Sequence, residues 1–164
     1  MELKQRLRSG LEHSRGFTAK VLSEIESDAD WIRRPVPAAN HALWIAGHLG
    51  YATNGFIGMV DPARKRSQDD YAQLFGKGSQ CVDELSAYPP PAVVKGFWLE
   101  RSAAFVELLD ACSEEDLTRE VPQGPGFMPD VAAVFQMGVW HEALHAGQLT
   151  IIHRMLGQTP LTER

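Results

Sequence analysis

The segment from His141 to Leu149, HEALHAGQL, holds more chemistry than any other part of the chain. On a helix, residues four apart rise about 6 Å and turn about 40°, so His141 and His145 project from one face. Two neutral imidazoles at that spacing can hold one divalent cation. The same letters spell the H-E-x-x-H pattern of zinc peptidases, in which the glutamate is the general base. Two metal readings therefore compete.

The peptidase reading is the weaker. Its extended form, H-E-x-x-H-x-x-G-x-x-H, needs glycine where this chain has Gln148 and histidine where it has Ile151. The next glutamate, Glu163, follows only after Gly157 and Pro160, and no alternating strand pattern offers an edge to an extended peptide. On this reading Glu142 at most orients a ligand imidazole.

A third imidazole comes from a different segment. The stripe His41, Trp44, His48, Tyr51 lies on one face of another helix, and His48 on it can meet His141 and His145 across a bundle. Three imidazoles and a water make an open site of the type zinc uses catalytically, and nickel suits the same ligands. Gly47 and Gly147 would let the two helices approach closely. His41 lies about 10 Å along its helix from His48, too far to share an ion. It reads as a hydrogen-bonded core residue, as do His13 and His153 as surface or core groups. Gln148 shares the ligand face and would bond a water or a neighbouring helix. Arg101, among apolar residues, would pair with a carboxylate or extend its head to water. Trp44, Trp98 and Trp140 read as core.

The elements that position these residues follow from periodicity. Leu3, Leu7, Leu11, Phe17, Val21, Leu22 and Ile25 mark an amphipathic helix within residues 1–27, broken at Ser27, Asp28 and Pro35. Asn40 is the expected N-cap of a second helix over 41–59. Residues 61–91 form a long connection, a natural cover for a site. A third helix spans 92–111, and Asp130 caps a fourth that runs to Leu156 and stops at Gly157. The fold class is all-α, an antiparallel four-helix bundle, in one domain over 1–164. HALWIAGHL (41–49) and HEALHAGQL (141–149) share His, Ala, Gly and Leu positions, which suggests matching parts for the second and fourth helices.

Composition narrows the function. The 164 residues are 44% hydrophobic and carry a net charge of −5. That balance argues against nucleic acid, which needs a basic face. The cluster Arg64-Lys65-Arg66 is followed by Asp69 and Asp70 and reads as a solvated loop. Gly76-Lys77-Gly78-Ser79 is no phosphate loop, because Tyr71 and Gly78 stand where glycine and Ser or Thr are required. Cys81 and Cys112 form no CxxC, which together with the polar N-terminal segment points to the reducing cytosol. No apolar run has the length of a membrane span.

With these residues in view the chain resembles the DinB-like (YfiT-like) superfamily of metal-dependent enzymes. The carriers are GHL with His48, then H-x-x-x-H-x-G-Q-L with His141, His145, Gly147, Gln148 and Leu149, supported by the DW and DL turns, the FGKGS loop and RMLG. The resemblance implies a four-helix bundle with a three-histidine metal site formed by His48, His141 and His145. It also implies thiol-dependent chemistry, since members include S-transferases and a mycothiol-dependent isomerase. Ala146 replaces a basic residue common there. The expected function is S-transfer with a low-molecular-weight thiol, or hydrolysis of a small-molecule substrate, using zinc or nickel. A non-catalytic metal-binding stress or interaction protein is the alternative. A homodimer is expected, and catalytic residues beyond the ligands are not assigned.

Overall fold

Local devices in the sequence delimit the helix that carries His141 and His145 at both of its ends. In the computed structural model, which describes residues 2–67, 69–122 and 124–163, α1 spans Leu3–Ser23 and the single turn α2 spans Asp28–Trp31, capped by Ser27. Helix α3 spans Ala42–Val60, α4 Asp69–Phe75, α5 Pro91–Ala111, α6 Glu114–Leu117 and α7 Val131–Met155. Asp130 caps α7 by accepting the Ala133 N–H at 2.8 Å. The helix ends on Gly157 at φ +84°, with Gln158 N–H donating to His153 O and Gly157 N–H to Arg154 O. Those two bonds make a Schellman stop, which needs the left-handed backbone glycine adopts without a Cβ clash.

One expected boundary moves. The N-cap of α3 is His41, not Asn40: its Nδ1 accepts the Trp44 N–H at 3.0 Å. Its Nε2–H donates to Val82 O at 3.0 Å, so the buried ring is satisfied at both nitrogens.

Helices α1, α3, α5 and α7 form the four-helix bundle, two running up and two down. Helix α7 packs on α1 and α3, and α5 packs on the same two helices. Lys4 and Arg8, early in α1, meet Asp110 at the end of α5, so that pair is antiparallel. His48 meets His145 while Phe56 meets His141, so α3 and α7 are antiparallel as well. Gly10 faces Val139 and Glu24 meets His153, which makes α1 and α7 parallel neighbours. Gly50 against Trp98 and Phe56 against Phe105 do the same for α3 and α5.

Parallel neighbours need a return crossover, and that is what residues 61–90 provide. The crossover contains α4, whose Tyr71 and Phe75 are buried. Phe75 fills the space left by Gly47, where a Cβ would collide with the ring. Gly47 therefore admits α4 rather than α7, and Gly147 has open space around it, so neither glycine draws the two helices together as the sequence suggests. Two apolar clusters fill the bundle, one around Leu43, Phe75, Trp98 and Leu149, the other around Ile57, Leu109, Leu117 and Phe135. Each such side chain contributes about 1.5–3 kcal/mol by leaving water. Among the described residues no helix is long and apolar enough to cross a membrane.

Candidate metal centre

His48 projects from α3 and His141 and His145 from successive turns of α7, and the three rings meet in the seam between those helices. Their ligating nitrogens all lie within 4.8 Å of one another. His48 Nε2 is 3.1 Å from His141 Nε2, and the ring centroids are 4.6–5.0 Å apart. Two nitrogens bound at 2.0–2.1 Å to a tetrahedral ion lie about 3.3 Å apart, so the His48–His141 pair has the spacing of a shared cation, with a His145 nitrogen within 4.8 Å of both.

Two of the rings are held in the tautomer that ligation requires. His48 Nδ1–H donates to the Phe75 carbonyl at 2.7 Å, and His145 Nδ1–H donates to Gln148 Oε1 at 2.9 Å. Each bond leaves the Nε2 lone pair pointing at the cluster. Trp44 stacks on His48 at 4.8 Å with planes 9° apart, and its Nε1–H is anchored on Ser79 Oγ. Phe56 meets His141 edge-on at 5.8 Å. His145 is buried while His48 and His141 keep partial contact with solvent.

The electrostatics favour neutral imidazoles. Burial, then the neighbouring rings of His145 and His48, pushes His141 down to about 3. Burial and then His48 push His145 down to about 4, against the opposing effect of its bond to Gln148. Burial also lowers His48, opposed by the Phe75 carbonyl. At neutral pH the three lone pairs are therefore available without first losing a proton.

The other sequence-identified residues lie elsewhere. His41 caps α3, His153 bonds Glu24 at 2.7 Å, and exposed His13 bonds Ser9 O at 2.7 Å, so each is structural as expected. Arg101 is buried and pairs with Glu100, also as expected. Gln148 Oε1 accepts from the His145 imidazole of its own helix. Glu142 does not reach the cluster: Oε2 accepts from Trp98 Nε1–H at 3.4 Å, between α7 and α5. Trp44 and Trp98 are core, but Trp140 is 56% exposed and is not. The matching 41–49 and 141–149 segments do not play matching parts either, since His41 caps a helix where His141 faces the cluster. Sequence reasoning missed the Phe75 carbonyl and the Trp44 stack. The signal for the first was present in Tyr71, Leu74 and Phe75, an i, i+3, i+4 apolar set inside the long connection.

A family model of the DinB superfamily matches residues 11–149. The chain belongs to that superfamily, and the matched span contains all three clustered histidines. No curated protein and no solved structure matches the chain.

Proposed function

We propose that this chain is a metal-dependent enzyme that activates a low-molecular-weight thiol for transfer to a small electrophile. The observation that carries this reading is the convergence of three neutral imidazoles from two helices, two of them oriented by a bond at the opposite ring nitrogen. A divalent ion, zinc or nickel, held by His48, His141 and His145 supplies charge that lowers the pKa of a bound thiol or water.

The protein's own residues do the rest. Phe75 O and Gln148 fix the ligand rings, Trp44 blocks rotation of His48, and Phe56 walls the site with an apolar edge. The nucleophile comes from outside the chain. Burial raises the pKa of both Cys81 and Cys112, and the Cys112 thiol donates to Leu108 O. Hydrolysis of a small molecule is the second reading at the same site, with water in place of the thiol. On this reading the chain works in the cytosol as a homodimer. Supporting a dimer are Trp140, Leu144 and Ile151, exposed along one stripe of α7.

The test offers bacillithiol, mycothiol and glutathione, each with monochlorobimane, to metal-loaded protein and to His141→Ala. At least one thiol should react faster with the loaded wild type. Equal rates for both proteins with every thiol, metal being confirmed in the first, would contradict transfer and leave hydrolysis or a non-catalytic metal-binding role.

A further inference from the structure

The basic run Arg64-Lys65-Arg66 reads as a solvated loop by its charge, yet buried side chains hold it in place. Asn54, 2% exposed on α3, donates from Nδ2 to Arg66 O at 2.9 Å and accepts Arg66 N–H at Oδ1 at 3.0 Å. Arg101, 5% exposed on α5, donates from Nη1 to Arg64 O at 3.2 Å, while its Nε–H is taken by Glu100 at 2.6 Å. Burying an asparagine and an arginine is costly unless both are hydrogen-bonded. Here that arrangement fixes three consecutive surface residues, which is the support a binding site requires and a solvated loop does not.

The fixed run walls a cleft of about 330 Å³, lined by Tyr51, Asn54, Lys65, Arg66, Ser67 and Ala72 among others. That volume is within the small-molecule range of roughly 300–1,000 Å³. Its charges are incompletely answered. Arg64 meets Asp61 at 3.4 Å, and Arg66 reaches Glu100 only at 3.4 Å, a carboxylate already engaged by Arg101. The Lys65 ammonium has no hydrogen-bond or ion-pair partner among the described residues, its backbone N–H being taken by Pro62 O, and Asp70 does not line the cleft. The Lys65 stem lies over Gly58, where a Cβ would fall 2.7 Å from its Cδ.

The cleft and the histidine cluster with its Phe75 anchor draw residues from the same two helices, α3 and α4. Tyr51 and Asn54 follow His48 on α3 by one to two turns, about 4.5–9 Å along the axis. Ala72 sits on α4 one turn before Phe75, whose carbonyl orients His48.

We propose that this cleft binds the carboxylate of a small organic acid, with Lys65 as the principal charge and Arg66 as the second. An ammonium with no partner among the described residues, beside a loosely paired guanidinium, suits a monoanion, and Tyr51 and Ser67 on the same wall carry hydroxyls to bond its oxygens. That the acid is the substrate activated at the three histidines rests on the reading given above. The carboxylate site itself does not.

Two arms separate the claims. In the first, full-length metal-free protein is titrated with hexanoate and with hexanol while the amide resonances of Tyr51, Asn54 and Ser67 are followed. Hexanoate should shift them and hexanol should not, Lys65→Gln should remove the difference, and Lys65→Arg should retain it. Equal responses to the two probes, or a preference that survives Lys65→Gln, overturn the proposal. In the second, zinc-loaded protein is titrated with 6-mercaptohexanoate and 6-mercaptohexanol. The acid should bind about tenfold more tightly, in line with one charge-assisted contact, and Lys65→Gln should equalise the pair. If hexanoate marks the cleft but neither thiol binds zinc-loaded protein, the cleft stands and the thiol reading falls.

Discussion

Helix α7 presents one polar surface to α3 and a different one to α1 and α5. Toward α3 it turns His141 and His145, which meet His48 with their outer nitrogens anchored on Phe75 O and Gln148 or packed by Phe56. Toward α1 and α5 it turns Glu142, 6% exposed, beside a cavity of about 20 Å³ that Arg15 and Ser102 also line. There Glu142 Oε1, Arg15 Nη1 and Ser102 Oγ are buried without a hydrogen-bond partner among the described residues. Burial raises the Glu142 carboxyl pKa, opposed by Thr18, Trp98 and Arg15. Residues 141 and 142 are neighbours in the chain but about 100° apart around the helix. The letters H-E-x-x-H are therefore divided between two seams, and the carboxylate a peptidase would use as base faces away from the imidazoles. In this chain the motif brings two imidazoles to the cluster and turns its glutamate to the other seam.

The first way to stress that comparison is through the support of the α3 seam. Gly47→Ala would set a methyl against Phe75 and push α4 outward, carrying the carbonyl that orients His48. Overpacking of this kind costs about 1–3 kcal/mol. Urea unfolding should show that loss, and the variant should also bind zinc more weakly than wild type. A loss of stability with unchanged zinc affinity would detach Phe75 from the site.

Gln148 tests the other anchor. Gln148→Leu should weaken zinc binding about tenfold, the lower end for a group that orients a ligand imidazole. Gln148→Glu, which keeps the acceptor, should bind near wild-type strength. Competition with a chromophoric chelator reads both.

The smallest effect comes from the first turn of α3, where a histidine serves structure alone. Burial lowers the pKa of His41 from 6.5, against the Val82 carbonyl, with Arg34 and Asp83 the charged groups that bear on it. The unfolded chain therefore takes up that proton before the folded one does, and stability falls as pH drops below about 6.5. His41→Asn keeps a capping acceptor, so it should cost about 1 kcal/mol or less at neutral pH and make the acid slope shallower. The three clustered rings, lowered in the same direction, contribute to the slope in both proteins. An unchanged slope would show that His41 is not buried neutral.

Much of this was legible in the sequence, and the reasons are physical. Helical periodicity gives the face of each residue, so His48, His141 and His145 could be set on inward faces and the bundle inferred from four apolar stripes. Caps and stops at Asp130 and Gly157 are local chemistry, and both hold. Periodicity does not say which neighbour a face meets. That is why the letters alone allow Glu142 an orienting role at the imidazoles, set Gly47 between two helices and read Trp140 as core, where the structure has each facing something else. The support from α4 was hidden for a related reason. Seven residues within a connection give too short a pattern to stand out, and the group that touches His48 is a backbone carbonyl, which every residue type carries.

The division of the motif is tested most directly by metal content. Wild type, His141→Ala and Glu142→Gln, purified without an affinity tag and loaded with zinc, would be compared by elemental analysis after dialysis. The account predicts one ion per chain in wild type and in Glu142→Gln, with affinities that differ by less than the roughly tenfold that marks a ligand-orienting partner. His141→Ala should retain little or none. Full stoichiometry in His141→Ala, or loss of the ion in Glu142→Gln, would contradict it.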